Sequence, residues 1–178
     1  MKHLNTYITE YIIKKKLDKP IDSEDHCIYF PETKEELISN IKELFDKGKT
    51  DLNSIDTSKI TDMTHLFESF NNIENVNFDV SKWDVSNVES MLGLFFNCKK
   101  FDCDLSKWDV SNVEKMSDIF SGCKKFKGKG LENWDISNVK GMNYMFDGCT
   151  SLKNKPSWYI RNETFKYIHN RIHYQEKA

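Results

Sequence analysis

The chain has 178 residues, a formal net charge of −2, 30% charged and 13% aromatic residues. That length suits one domain with a real core. The near-neutral balance gives no reason to expect a nucleic-acid partner, and no apolar run of about 18 residues asks for membrane insertion. The five cysteines are an odd number, so a closed disulfide framework cannot use them all.

Taken in order, residues 2–17 place Leu4, Tyr7, Ile8, Tyr11 and Ile12 at helical spacing. They end in Lys14-Lys15-Lys16, which suits a helix C-terminus. A short docking helix is expected there. The stretch lacks the shape of a secretory leader, so a cytoplasmic protein is expected. Residues 18–32, with Pro20, Pro31 and Asp22-Ser23-Glu24-Asp25, read as a linker holding a short strand at Cys27–Phe30. A stronger helix is expected over 34–47. Thr33 and Glu36 form a capping box, Leu37, Ile38, Ile41, Leu44 and Phe45 form its apolar stripe, and Gly48 suits the position after its end.

A repeat follows. DLNSIDTSKITDMTHLFESF stands at Asp51–Phe70, DVSKWDVSNVESMLGLFFNC at Asp79–Cys98, DLSKWDVSNVEKMSDIFSGC at Asp104–Cys123 and GLENWDISNVKGMNYMFDGC at Gly130–Cys149. The steps are 28 (Ile55 to Trp83), 25 (Trp83 to Trp108) and 26 (Trp108 to Trp134). A fixed period of this length marks a stacked-repeat architecture, in which no unit buries its apolar face alone. Within one unit, Leu105, Trp108 and Val110 read as a short strand. Ser111 and Glu114, like Ser86 and Glu89, read as a capping box. Met116, Ile119, Phe120 and Cys123 lie three or four apart and read as a helix of two to three turns, ended near Gly122 and Gly148. Phe101, Phe126 and Leu152 are expected inward in the following turn. After Lys155-Pro156, residues 162–175 read as a final capping helix. The organisation expected is therefore helices, linker and cap over 1–50, four repeats over 51–154, and a C-terminal capping helix over 155–178.

The unit W-D-[VI]-S-N-V-x-x-M-x-x-[MIL]-F-x-x-C-x-x-[FL] resembles the repeat of BspA-like bacterial surface proteins, a family filed as a domain of unknown function in mycoplasma lipoproteins. The resemblance covers about 51–154. It implies an α/β fold, a short right-handed leucine-rich-repeat-like solenoid of about four strand-helix units. It also implies protein binding, no catalytic motif, and a cell-surface location as the alternative to the cytoplasm. The opening MKHLNTYITEYI resembles N-termini of gut-bacterial phage proteins, and a virion-associated assembly protein docking through that helix is the alternative role.

Three rows of recurring residues are candidates for chemistry. Cys98, Cys123 and Cys149, at spacings of 25 and 26, lack the close pairing of zinc sites and are expected as buried thiols. Trp83, Trp108 and Trp134 are expected inward. Asp56, Asp84, Asp109 and Asp135 are expected on the exposed strand face, where neighbouring carboxylates repel by about 1 kcal/mol per pair even in water. Lys82 and Lys107 are expected to pair with Asp84 and Asp109, leaving Asp56 and Asp135 less neutralised. These six residues are the candidate partner-binding site. His169 and His173 have helical zinc spacing, but Asn170 stands where a metalloprotease needs Glu. No metal, cofactor or enzymatic activity is expected.

Overall fold

The computed structural model of the chain describes residues 28–70 and 72–160. Its first element, α1 (Lys34–Asp46), forms as its sequence dictates. The Thr33 hydroxyl accepts from the Glu36 amide at 3.2 Å. The Glu36 carboxylate reaches back to the amide of Glu32 at 2.7 Å, one residue before the cap. The helix closes with Gly48 at φ +70°, where Gly48 N–H donates to Phe45 O and Lys49 N–H to Leu44 O, both at 2.9 Å. That bond pair is a Schellman motif, which satisfies the last carbonyls. Leu37, Ile41 and Leu44 are buried in the common core. Phe45 meets Phe70 and Phe78 edge-on at 5.5 and 6.1 Å, so the apolar stripe of α1 lies over the first repeat.

The four repeats stack as rungs, beginning at Asp51, Asp79, Asp104 and Gly130. The expected strand-helix unit is not what forms. Among the described residues there is no strand; rungs touch through isolated parallel bridges at Asp51–Asp79, Asp62–Ser90, Ser90–Lys115 and Lys115–Gly141. No helix runs from Met116 to Cys123 either. The α/β leucine-rich-repeat-like solenoid expected above is corrected to a stack of linked turns.

The reason lies in the backbone. Gly93 and Asn97 in rung 2, Asp118 and Gly122 in rung 3, and Tyr144 and Gly148 in rung 4 all have φ between +54° and +79°. A left-handed residue ends a right-handed helix, and here a second follows four positions after the first in each of these rungs. Between these residues the chain makes separate turns, for example Ser121 N–H to Asp118 O at 3.0 Å and Cys123 N–H to Phe120 O at 2.9 Å. The remaining amides point along the stack. Met91, Gly93, Phe95 and Asn97 donate to the carbonyls of Lys115, Ser117, Ile119 and Ser121, at 2.8–2.9 Å. Met116, Asp118, Phe120 and Gly122 donate in turn to Gly141, Asn143, Met145 and Asp147. Alternation between turn bonds and inter-rung bonds uses every amide from Met116 to Cys123 except that of Ser117.

This path puts the expected residues inside. Leu105, Trp108, Val110, Met116, Ile119, Phe120, Cys123 and Phe126 are all buried. Their rings form columns. Phe67, Phe95, Phe120 and Phe146 stack at 5.6, 5.7 and 5.8 Å. Phe78, from the extra residues after rung 1, joins Phe101 and Phe126 in a second column at 5.1 and 5.7 Å. Each such ring pair adds about 0.5–1.5 kcal/mol beyond area burial. The tryptophan column extends further than the repeats do: Trp108, Trp134 and Trp158 stack at 6.5 Å per step. Trp158 lies in helical residues 157–160, past the point where the sequence pattern ends. The expected helices at 2–17 and 162–175, and the pair His169 and His173, lie outside the described residues.

Gly130 starts rung 4 at φ +93°, and a Cβ there would lie 2.2 Å from the Ser106 amide nitrogen. The neighbouring atoms are backbone, so they cannot swing aside. Gly130→Ala is expected to lower unfolding free energy by about 3 kcal/mol or more, measured by urea denaturation followed by circular dichroism.

Candidate functional site

The motif Trp-Asp-[Val/Ile]-Ser-Asn builds one corner of each rung. Its Trp is buried, and the indole N–H donates to a carbonyl one rung back: Trp83 to Leu52 O, Trp108 to Val80 O, Trp134 to Leu105 O and Trp158 to Leu131 O, at 2.8–3.4 Å. A buried indole keeps its place only with such a partner. The next residue turns to solvent. The carboxylates of Asp56, Asp84, Asp109 and Asp135 accept from the amides of Ser58, Ser86, Ser111 and Ser137, each at 3.0 Å. This is an Asx turn, and it sets the Asp-x-Ser spacing. The Asn then ties rungs together: the side-chain amides of Asn87, Asn112 and Asn138 donate to Ser58 O, Ser86 O and Ser111 O at 2.7–2.8 Å.

The capping boxes expected at Ser86/Glu89 and Ser111/Glu114 are not helix caps. The amides of Glu89, Glu114 and Lys140 donate to Thr61 O, Glu89 O and Glu114 O of the rung before, each at 2.8 Å.

The six sequence-predicted site residues thus lie on turns, not on a strand face. Asp84, Asp109 and Asp135 are exposed, and Asp56 is half-buried. Hydrogen bonding from Ser111 holds the Asp109 carboxyl below its usual range, against burial and against the repulsion of Asp135. Asp135 is held down likewise by Ser137. Lys82 and Lys107 are exposed. The Lys82 amide donates to the Asn53 side chain at 2.8 Å. Among the described residues Lys107 makes no ion pair with Asp109, so the expected Lys–Asp neutralisation at that rung is not seen. Beside the row lies an open groove of about 670 Å³, lined by Asn87, Asn112 and Asn138 with Thr61, Glu89 and Glu114. Glu114 is held by Lys140 at 2.6 Å.

Sequence reasoning missed a second aspartate row. Asp51, Asp79 and Asp104 make the same turn onto Asn53, Ser81 and Ser106, at 2.8–3.0 Å. The D-x-[SN] spacing was its signal. Within this row one member, Asp104, is ion-paired among the described residues: Lys129 contacts it at 2.7 Å, and Lys127 contacts the adjacent Asp102. Among the described residues the cysteines, Cys98, Cys103, Cys123 and Cys149, are buried and free. Cys123 and Cys149 donate to Phe95 O and Phe120 O of the rung before, at 3.0 Å. Burial pushes the thiols of Cys98 and Cys103 up to about 12 and that of Cys149 to about 11; Cys123 is raised further. Among the described residues no three His, Cys, Asp or Glu side chains converge on a metal position, and no helix is long and apolar enough to cross a membrane.

Two comparisons, with the curated proteins and with the solved structures, found no match. A scan against family models found one: the family described as Mycoplasma protein of unknown function, DUF285, matches residues 36–159. The match takes in α1 from Glu36 onward, all four rungs and Trp158.

Two predictions follow from these geometries. The Lys129 ammonium, with Ser106, holds the Asp104 carboxyl down at about 2. Its folded value is depressed, so its contribution is full above the unfolded value of about 3.9 and disappears as pH falls through about 2. Asp104→Asn is therefore expected to be less stable than the natural chain at neutral pH and equal to it near the lower limit, read from urea midpoints across that range. Separately, Cys98, Cys103, Cys123 and Cys149 are expected to stay unlabelled by iodoacetamide at about pH 8 in the folded protein and to label fully in denaturant. Peptide mass spectrometry reads both states.

Proposed function

Since the chain belongs to the DUF285 family of Mycoplasma proteins of unknown function, we propose its role from its own surface: a non-catalytic module that binds a protein partner through the corner carrying Asp84, Asp109 and Asp135. One observation carries this reading. These three carboxylates are exposed and in line, and among the described residues none has an ion pair, whereas Asp102, Asp104 and Glu114 each have a lysine. The Asx turns explain why the side chains are placed there, but an asparagine would make the same turn without the charge. Like charges on successive rungs repel, as Asp135 does Asp109, and a partner's lysines or arginines would reverse that sign. Asp56, Lys82 and Lys107 border the same corner. The partner class that fits is a protein with a basic, extended contact surface, reaching into the groove beside the row. The likeness of the repeat to that of BspA-like surface proteins, a family implicated in protein binding, supports the same reading.

The isosteric change separates structure from binding. Asp84→Asn with Asp109→Asn is expected to leave the melting temperature unchanged and to weaken partner binding about tenfold. Asp84→Lys with Asp109→Lys is expected to abolish it, and binding by the natural chain is expected to fall with added salt. Isothermal titration of the captured partner against the three proteins reads this. Undiminished affinity in the folded charge-reversal protein would sink the proposal.

A further inference from the structure

The turn after each rung cysteine carries charge of the opposite sign. In rung 2 the chain turns between Cys98 and Phe101, closed by Phe101 N–H to Cys98 O at 3.0 Å; in rung 3 it turns between Cys123 and Phe126, closed at 3.2 Å. Both ends of each turn are buried, so the two middle residues project outward. These are Lys99-Lys100 and Lys124-Lys125, all four exposed. Lys125 N–H donates to Lys99 O at 3.1 Å, which sets the two pairs against each other on adjacent rungs. The turn itself does not need lysine. Rung 4 closes it between Cys149 and Leu152 at 3.1 Å with Thr150 and Ser151 in the middle. Among the described residues none of the four lysines has an ion pair, whereas Lys127 and Lys129 just beyond are bonded to Asp102 and Asp104. Glu74 and Asp147 border the patch at its two ends, near enough to Cys98 and Cys149 to raise those thiols.

The core separates these lysines from the aspartates. The Phe120 ring lies 4.2 Å from Phe126, where a lysine turn ends, and 6.0 Å from Trp134, which precedes Asp135. Phe95 stands likewise between Phe101 at 4.0 Å and Trp108 at 5.9 Å. The lysine turns and the aspartate turns thus lie on different faces of the stack, with the phenylalanine column between them. Both rows advance by one rung per step, so they share one pitch. A second copy laid alongside therefore meets the lysines of two rungs with the aspartates of two rungs at once, in register. Opposite charges then face each other where like charges stood side by side. The net charge of −2 is too small to hold copies apart.

We infer that the basic surface which fits the aspartate corner is the lysine turn of a second copy of this chain, so that copies associate side by side, lysine face to aspartate face. This rests on the reading of the aspartate corner given above and names its partner. The two faces differ, so each pair of copies leaves one of each open, and further copies add in a row. Exposed lysine–carboxylate pairs are individually weak, and the association is correspondingly weak and sensitive to salt.

Sedimentation velocity on the full chain tests it. The natural chain is expected to pass from monomer to dimer and larger species as concentration rises, and to return to monomer with added salt. Lys99→Glu with Lys124→Glu is expected to weaken association about tenfold or more, and Asp84→Lys with Asp109→Lys to do the same, each with its melting temperature unchanged. An equimolar mixture of the two variants is expected to regain it, because the lysine face of one meets the aspartate face of the other. Carbodiimide coupling of mixed isotope-labelled and unlabelled natural chain needs no variant, and is expected to yield mixed-isotope peptides joining Lys99 or Lys124 to Asp84 or Asp109. A natural chain that stays monomeric at every concentration overturns the inference. If that monomer binds a separate basic protein and loses it on Asp84→Lys with Asp109→Lys, the reading of the corner stands; if such binding is undiminished, both fall. Association that survives either charge reversal, or a mixture that stays monomeric, would also overturn the inference.

Discussion

Two left-handed residues four positions apart, in each of rungs 2 to 4, decide what the chain can be between the Met and the Cys. They stop the right-handed helix that the apolar spacing would otherwise favour, and so leave alternate amides unspent within the rung. Those amides have one outlet, the carbonyls of the next rung. Stacking is therefore required by hydrogen bonding as well as by the hydrophobic effect: an isolated rung would hold four amides and a row of aromatic rings with nowhere to go. The phenylalanine columns follow from this, because a backbone in register delivers identical side chains in register.

The side-chain bonds run the other way. Trp indoles, Asn amides and the thiols of Cys123 and Cys149 donate to the rung before, while the main chain from Met to Gly donates to the rung after. Each residue of W-D-[VI]-S-N thus has a separate task. Trp and Asn hold the previous rung, Asp folds its own corner, and only the Asp leaves a charge in solvent.

Much of this was legible in the sequence, though not the geometry that connects it. The buried set was correct because inward residues of a chain of three-residue turns recur at the same three-and-four spacing as those of a helix. Met116, Ile119, Phe120 and Cys123 satisfy both descriptions. What separates them is the residue type between. Gly93, Asn97, Asp118, Gly122 and Gly148 are the types that tolerate positive φ, and reading them as helix positions produced the error. Tyr144, which occupies the same conformation without belonging to those types, carries no such signal. The Asp row was identified, but its Ser partners were assigned to helix caps because the Asx turn and the N-cap share one short polar vocabulary. Trp158 was missed because Pro156 hides the continuation of the column. Helix α1, by contrast, is specified by local signals alone, and its cap and its Schellman glycine stand where its sequence puts them.

The even pitch of the phenylalanine column, 5.6, 5.7 and 5.8 Å, has a consequence for how such a chain can change over generations. Every rung presents above what it accepts below, so an in-frame tandem duplication of one repeat inserts a unit that both neighbours already fit. Length can then drift by whole units while α1 and the Trp158 segment stay at the ends. The row of Asp84, Asp109 and Asp135 would lengthen in step, so a gene that gains a repeat gains one more carboxylate in the same line, and the exposed acidic surface grows without any new residue being selected.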